Sequence, residues 1–348
     1  MLGLKKLRPH RQTGKSMSTR WQANIDDYVI RLAWSPDGTM LAAGAVEGPI
    51  TLLDAQSGDV RHTLPGHGFG TTDLSWHPEQ GWLASAGQDG EVKVWDVVNG
   101  SKLWSQPGGA AWVEHVAWNP TGDLLASAAG RELRLWDGQG NLLHQYADHP
   151  STIASLGWRP ASKEVATIGY GGITLHDLEQ PEKARLFEWK GSSLVLSWSP
   201  DGKYIATGDQ DSTVHFWYSD SGQHLQMWGY ATKVRELSWN HTSRYLATGG
   251  SSSVVVWDCA GKGPEGSTPK MLEQHESLLT MLAYQNRGKL LASACQDGLV
   301  VLWQPNRNQN ALSHINFDGL VSQIVWSPND SYLAVGTEFG DVALLRIN

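Results

Sequence analysis

Little in these 348 residues points to redox or metal chemistry. Cysteine occurs twice, at Cys259 and Cys295, with no CxxC and no Cys/His ligand spacing beside either. That leaves no basis for a disulfide framework or a zinc ribbon and suits a reducing compartment. No stretch approaches the roughly 18 consecutive apolar residues of a membrane span, and the basic N-terminus lacks the apolar core of a signal peptide. Stable membrane insertion is therefore not expected, and a cytoplasmic location is. Positive charge is scarce beyond the start of the chain. The formal net charge is −8, but residues 1–20 carry six cations (Lys5, Lys6, Arg8, Arg11, Lys15, Arg20) and no acid, so residues 21–348 stand at −14. So acidic a body is a poor match for nucleic acid, where affinity rests largely on neutralised phosphates.

Glycine and tryptophan are abundant instead, at 38 and 18 residues, as expected where turns and one bulky core position recur. Aligning on the aromatic residue before a polar turn gives Trp34, Trp76, Trp118, Trp158, Trp198, Trp239, Tyr284 and Trp326, spaced by 40 to 45 residues. Eight units emerge. In six of them proline follows two residues later (Pro36, Pro78, Pro120, Pro160, Pro200, Pro328), and Pro36-Asp37-Gly38 and Pro200-Asp201-Gly202 read as tight hairpin turns. A strand of small residues comes next, such as Leu83-Ala84-Ser85-Ala86 or Leu125-Ala126-Ser127-Ala128. Small side chains in mid-strand imply something large against them, and the repeated tryptophan is the expected partner. Then comes a β-branched strand closing on an aromatic and an acid, as in Val92-Lys93-Val94-Trp95-Asp96 and Val254-Val255-Val256-Trp257-Asp258. A glycine turn and a more variable fourth strand complete the unit.

Four short strands per unit, ending in Trp-Asp, resemble the WD40 repeat, and the resemblance covers residues 17–348. It implies an all-β fold, an eight-bladed β-propeller in one domain, with residues 1–16 as a flexible basic tail. The tail is equally readable as a leader or as a tether for an acidic surface. Several units depart from Trp-Asp, with Leu53-Asp54, His176-Asp177, Trp217-Tyr218, Trp303-Gln304 and Leu345-Arg346 at the corresponding places. The longest interval is explained by an extended turn over residues 261–266. The last unit ends at Asn348 after its third strand, so Ser18–Ala23 is expected to supply the fourth and close the ring.

His67, Ser85, Asp89 and Trp95 recur as His275, Ser293, Asp297 and Trp303. Ser, His and Asp together invite a catalytic-triad reading. The resemblance instead implies a buried hydrogen-bonded tetrad in each of the two units. The fifth unit keeps Thr207, Asp211 and Trp217 but has Trp189 where the histidine belongs, so its network should be incomplete. Thirteen histidines offer no ligand-like pair beyond Asp148-His149 and His176-Asp177, and neither a metal nor a cofactor is expected. Asp96, Gly100 and Trp104 match the spacing of a quinone-dependent dehydrogenase repeat only once, and the short loops leave little room for catalytic insertions.

The expected role is therefore non-catalytic, a scaffold holding a protein or peptide on the propeller rim. By family analogy, partner contacts fall six and four positions before each aromatic anchor, which selects Tyr28, Trp112, Glu114, Lys233, Arg235, Leu278 and Leu320 as the distinctive rim residues. Trp112 could instead plug the channel mouth. An enzyme or small-ligand protein using the central channel is the competing class, with residues drawn from the first strands.

Overall fold

The computed structural model describes residues 15–110, 112–180 and 183–348, and these residues form thirty β-strands. The second unit shows the plan. Strands Thr71–Trp76, Trp82–Gly87, Glu91–Asp96 and Ser101–Pro107 pair antiparallel in chain order. The two middle strands are covered by sheets on both faces, so Leu83–Gly87 and Val92–Trp95 are buried without interruption. This is why they read as continuous small or branched apolar runs rather than alternating ones. The outermost strand, Ser101–Pro107, is half to fully exposed and tolerates polar residues.

The aromatic anchors join consecutive units. Trp76 Nε1 donates to the Ala33 carbonyl at 2.9 Å, and Ala33 directly precedes the anchor of the unit before. The same bond is made from Trp158 to Ala117, Trp198 to Gly157, Trp239 to Ser197 and Trp326 to Ala283. Trp34 makes it to Val325, joining the first unit to the last. Each anchor also packs on the small-residue strand of its predecessor, as Trp118 does with Ala84 and Ala86 and Trp158 with Ala126 and Ala128. The large indole thus fills the space those alanines leave.

The expected eight-bladed count is corrected to seven hydrogen-bonded sheets. Six sheets have four strands and the seventh has six, because the fourth and fifth units share one sheet. Two strands, Glu164–Asp177 and Arg185–Trp198, each run for 14 residues and cover what are two successive strands elsewhere. The link at Gly171 and Gly172 turns at positive φ (110° and 116°) while its ladder pairing with Trp189 and Glu188 continues, and a Cβ at Gly172 would sit 2.0 Å from the Phe187 carbonyl oxygen. The connection into the fifth unit is just as short, with Trp189 and Ser192 both inside the same strand. Buried apolar clusters still lie between all consecutive units. Between the fourth and fifth, Ala166, Ile168, Ile173 and Leu175 meet Ile205 and Trp217.

Strand Met17–Asn24 is the outer strand of the last sheet, paired antiparallel with Asp341–Ile347 from Met17 opposite Ile347 to Asn24 opposite Asp341. Met17 and Trp21 on it are buried, and Trp21 Nε1 reaches the Ala55 carbonyl of the first sheet at 3.0 Å. The basic tail expected at residues 1–16 lies, over residues 1–14, outside the described residues.

Candidate functional site

The first candidate is the pair of His/Ser/Asp/Trp groups. In the second unit His67 Nδ1 lies 2.7 Å from Asp89 Oδ1 and His67 Nε2 lies 2.7 Å from Ser85 Oγ. Trp95 Nε1 donates to the same hydroxyl at 2.8 Å. A carboxylate only accepts, so the imidazole proton sits on Nδ1, Ser85 donates to Nε2, and Ser85 accepts from the indole. Burial pulls the His67 pKa down against the opposing pull of Asp89, and keeps the ring neutral. Lys93, itself buried, caps the group through Asp89 (2.7 Å) and the Gly66 carbonyl (3.0 Å). Ser85 and Ser293 are fully buried, so neither hydroxyl can reach an external substrate.

The seventh unit differs from the expected pattern. His275 bonds Ser293 (2.6 Å) and Trp303 bonds Ser293 (2.7 Å), but His275 Nδ1 meets Cys295 Sγ at 2.9 Å, and that thiol donates to Asp297 at 2.7 Å. Histidine and aspartate are thus joined through a thiol rather than directly. The cause is one side chain, because Cys295 stands where the second unit has Gly87. A Cβ at Gly87 would fall 2.1 Å from His67 Cγ, so any side chain there displaces the imidazole. Burial and Asp297 push the Cys295 thiol up to about 12, and burial pulls His275 down to about 4.

The sixth unit holds a group without the His, Ser and Asp signature. Tyr230 lies nine positions before the anchor Trp239, as His67 does before Trp76. Its hydroxyl contacts Thr248 Oγ1 at 2.9 Å and accepts from Trp257 Nε1 at 3.0 Å. That shared interval of nine is the signal that could have found it. In the fifth unit Trp217 bonds Thr207 at 3.2 Å, while Trp189 Nε1 and both ring nitrogens of buried His215 find no partner among the described residues. His149 turns its Nδ1 to the Ser151 carbonyl at 2.7 Å, leaving its Nε2 and the Nδ1 of His176 without partners. Among the described residues no three His, Cys, Asp or Glu side chains gather as a metal cage.

The second candidate is the face where the first strands begin. Five of the seven rim residues, Tyr28, Lys233, Arg235, Leu278 and Leu320, line one depression of about 290 Å³ together with Glu236. They come from the first, sixth, seventh and eighth units, which the last-to-first contact brings together. Trp112 and Glu114 are not part of it. Trp112 is 55% exposed on a segment held by the buried Val113, whose N–H bonds the Gly87 carbonyl at 3.0 Å. Glu114 accepts from the Gly130 N–H at 3.3 Å. Glu236 was not legible beforehand: its carboxylate tucks under the backbone, accepting from Gly250 N–H at 3.1 Å, and burial raises its pKa. Tyr28 is raised too, by burial and then by Glu338.

A larger trough, of about 570 Å³, lies beside the outer strand His224–Met227 and is walled by Pro264–Ser267 of the extended turn. Trp228, at its edge, is 75% exposed. Nothing in the repeat pattern singled it out.

Sheets of this repeat, stapled by indole-to-carbonyl bonds and a histidine-centred network, define a WD-repeat β-propeller. The chain belongs to that family: residues 28–262 match the family model described as IFT122 first beta-propeller, and residues 266–304 match the WD domain, G-beta repeat. Among curated proteins it is similar to target of rapamycin complex subunit wat1 of Schizosaccharomyces pombe, 25% identical over 51% of this chain and 58% of that protein. It is also similar to autophagy-related protein 16 of Arabidopsis thaliana, 32% identical over 26% of this chain and 19% of that one. The matched region thus spans less than two thirds of either relative. The solved structure of the computationally designed Ika8 protein overlays with a TM-score of 0.79 at 21% identity, covering 93% of this chain and 97% of that one, a likeness of fold alone. Among the described residues no helix is long and apolar enough to cross a membrane.

Proposed function

We propose that this propeller is a non-catalytic interaction platform that holds a protein or peptide partner on the face around Tyr28, Lys233, Arg235, Leu278 and Leu320. The observation that carries this reading is the convergence of apolar side chains and uncommitted cations in one depression, drawn from four units that are distant in sequence. Aromatic and arginine side chains dominate binding hot spots, and here both types stand beside two leucines. At about 290 Å³ the depression is at or below the lower end of small-molecule pockets, about 300–1,000 Å³, which favours seating side chains of a partner over enclosing a free ligand. The similarity to a protein named as a subunit of a complex is consistent with a role in assembly.

The test is affinity capture of the tagged chain from its native host, with a Tyr28→Ala/Leu278→Ala variant in parallel and Trp112→Ala as a third arm. Partners that persist on the double variant at wild-type yield refute the assignment of this face. Loss on Trp112→Ala alone would move the contact to the opposite side of the rim.

A further inference from the structure

We propose that the depression recognises a carboxylate side chain of the partner, an aspartate or glutamate flanked by an apolar residue. This rests on the interaction face proposed above and adds the chemistry of what it takes.

Most polar groups that line the depression are already engaged. Thr280 Oγ1 donates to the Val321 carbonyl at 2.6 Å and Ser322 Oγ to the Val29 carbonyl at 2.7 Å. Thr232 Oγ1 donates to the Gly250 carbonyl at 3.2 Å, and Ser251 Oγ to the Ser253 carbonyl at 3.1 Å. These hydroxyls hold the strand ends in place and have no proton left for a ligand. What remains are the Lys233 ammonium and the Arg235 guanidinium, both exposed and in no ion pair among the described residues. The Tyr28 hydroxyl and the Gln296 side-chain amide, also in the lining, donate to no described residue, while the Gln296 backbone N–H is taken by the Leu278 carbonyl at 3.0 Å. The uncommitted groups are thus mainly donors, two of them cationic, so the complementary ligand is an anionic acceptor.

Local charge selects the kind of anion. Glu236 lines the same wall, and Glu338 sits close enough to raise Tyr28 and to accept from the Leu320 N–H at 2.6 Å. Two cations facing two carboxylates do not form a strongly positive basin. With the local charge close to balanced, binding rests on close pairing with Arg235 or Lys233 at the rim, which a single carboxylate makes one-to-one, whereas a dianionic phosphate is costlier to strip of water and finds no net positive field to offset that cost. Leu278, 39% exposed, and Leu320 supply the apolar wall beside it. An apolar neighbour of the acid would cover both leucines and exclude water from the ion pair, which strengthens it.

The test uses arrays of acetylated hexapeptides with every position scanned through all amino acids and phosphoserine, probed with the full chain and with Lys233→Glu/Arg235→Glu. Both positions are exposed, so the variant folds, and a thermal melt verifies it. The expected result is enrichment of Asp and Glu next to Leu, Ile, Phe or Tyr. Asn and Gln replacements should lower the signal about tenfold or more, raising NaCl from 0.05 to 0.5 M should weaken it several-fold, and charge reversal should abolish it. Equal binding of amide and acid, stronger binding of phosphoserine, or no signal above the charge-reversed variant overturns the proposal. If Tyr28→Ala/Leu278→Ala still loses the captured partner while the array shows no acid preference, the face stands and only the carboxylate falls. If the partner survives that variant too, the face falls with it.

Discussion

Gly87→Ala should destabilise this propeller although alanine is the better strand residue. Gly87 is not among the glycines with positive φ, so its backbone accepts a side chain. Its new Cβ would lie 2.1 Å from His67 Cγ and 2.3 Å from His67 Cβ, distances that no side-chain rotation relieves. The imidazole must move, and both its bonds at 2.7 Å break. Losing the bond to the Asp89 carboxylate costs about 1.5–3 kcal/mol, and leaving the Ser85 and Nε2 pair unsatisfied about 1–2 more. Replacing glycine returns about 0.5–1 kcal/mol. The net loss is about 2–4 kcal/mol, read as a lower denaturation midpoint in urea at unchanged slope. A double-mutant cycle isolates the cause. Once His67→Gly has removed both the ring and its Cβ, Gly87→Ala should be neutral or stabilise by up to about 1 kcal/mol, so the coupling equals the predicted loss plus any such gain. Gly87→Cys should fall between wild type and Gly87→Ala, because a thiol at this position bridges His275 and Asp297 in the seventh unit. Wild-type stability of Gly87→Ala, or the same loss with and without His67, refutes the account.

The remaining predictions concern buried charge and the outer strand of the last sheet. Asp209 is 1% exposed and burial pushes its pKa up to about 7. The folded state then holds the proton more tightly than the unfolded one, so this contribution is full below about pH 4 and is lost as pH rises through 7. Asp209→Asn should abolish that decline, worth up to about 4 kcal/mol by the free energy of a pKa unit, and an unchanged pH profile of the melting temperature refutes it. His215, pulled by burial to about 4, acts with the opposite sign: its share of stability is lost as pH falls from about 6.5 through 4. His215→Phe should flatten that acid limb and also remove two unpartnered nitrogens, and a steeper limb would contradict it. Deleting residues 1–25 strips Met17 and Trp21 from the last sheet. Each buried side chain is worth about 1.5–3 kcal/mol, so the melting temperature should drop, and an unchanged value refutes a stabilising role for that strand.

The repeat was legible because the anchors are large and evenly spaced, and the small-residue strands announced what packs on them. The merged sheet was not. The interval from Trp158 to Trp198 is 40 residues, the same as from Trp118 to Trp158, so spacing alone could not show that the ladder pairing continues through two turns. Cys295 in place of the glycine found at Gly87 was visible, but its consequence depends on a distance to the imidazole that only coordinates supply. Tyr230 was hidden by its chemistry, since a phenol stands in for an imidazole with one atom where the ring uses two. The rim rule fixes a position in each unit but has no means of separating Trp112 and Glu114 from the other five. Which starts of the first strands share a depression depends on the last unit meeting the first and on how each side chain leans.

Two intervals within one short segment therefore divide the labour of each unit. The residue nine positions before the anchor is driven beneath the strand ends, where an unpaired polar group is costly: His67 and Tyr230 find partners there, whereas His149 Nε2 and Trp189 Nε1 find none among the described residues. Of the residues six and four before the anchor that line the depression, Thr280 and Ser322 bond neighbouring carbonyls, whereas the polar ends of Lys233, Arg235 and Tyr28 have no partner among the described residues. Leaving the exposed cations Lys233 and Arg235 unpaired, a few residues beyond the paired Tyr230, has no stability reason, since exposed ion pairs contribute little either way. What such a choice leaves available is contact with something outside the chain.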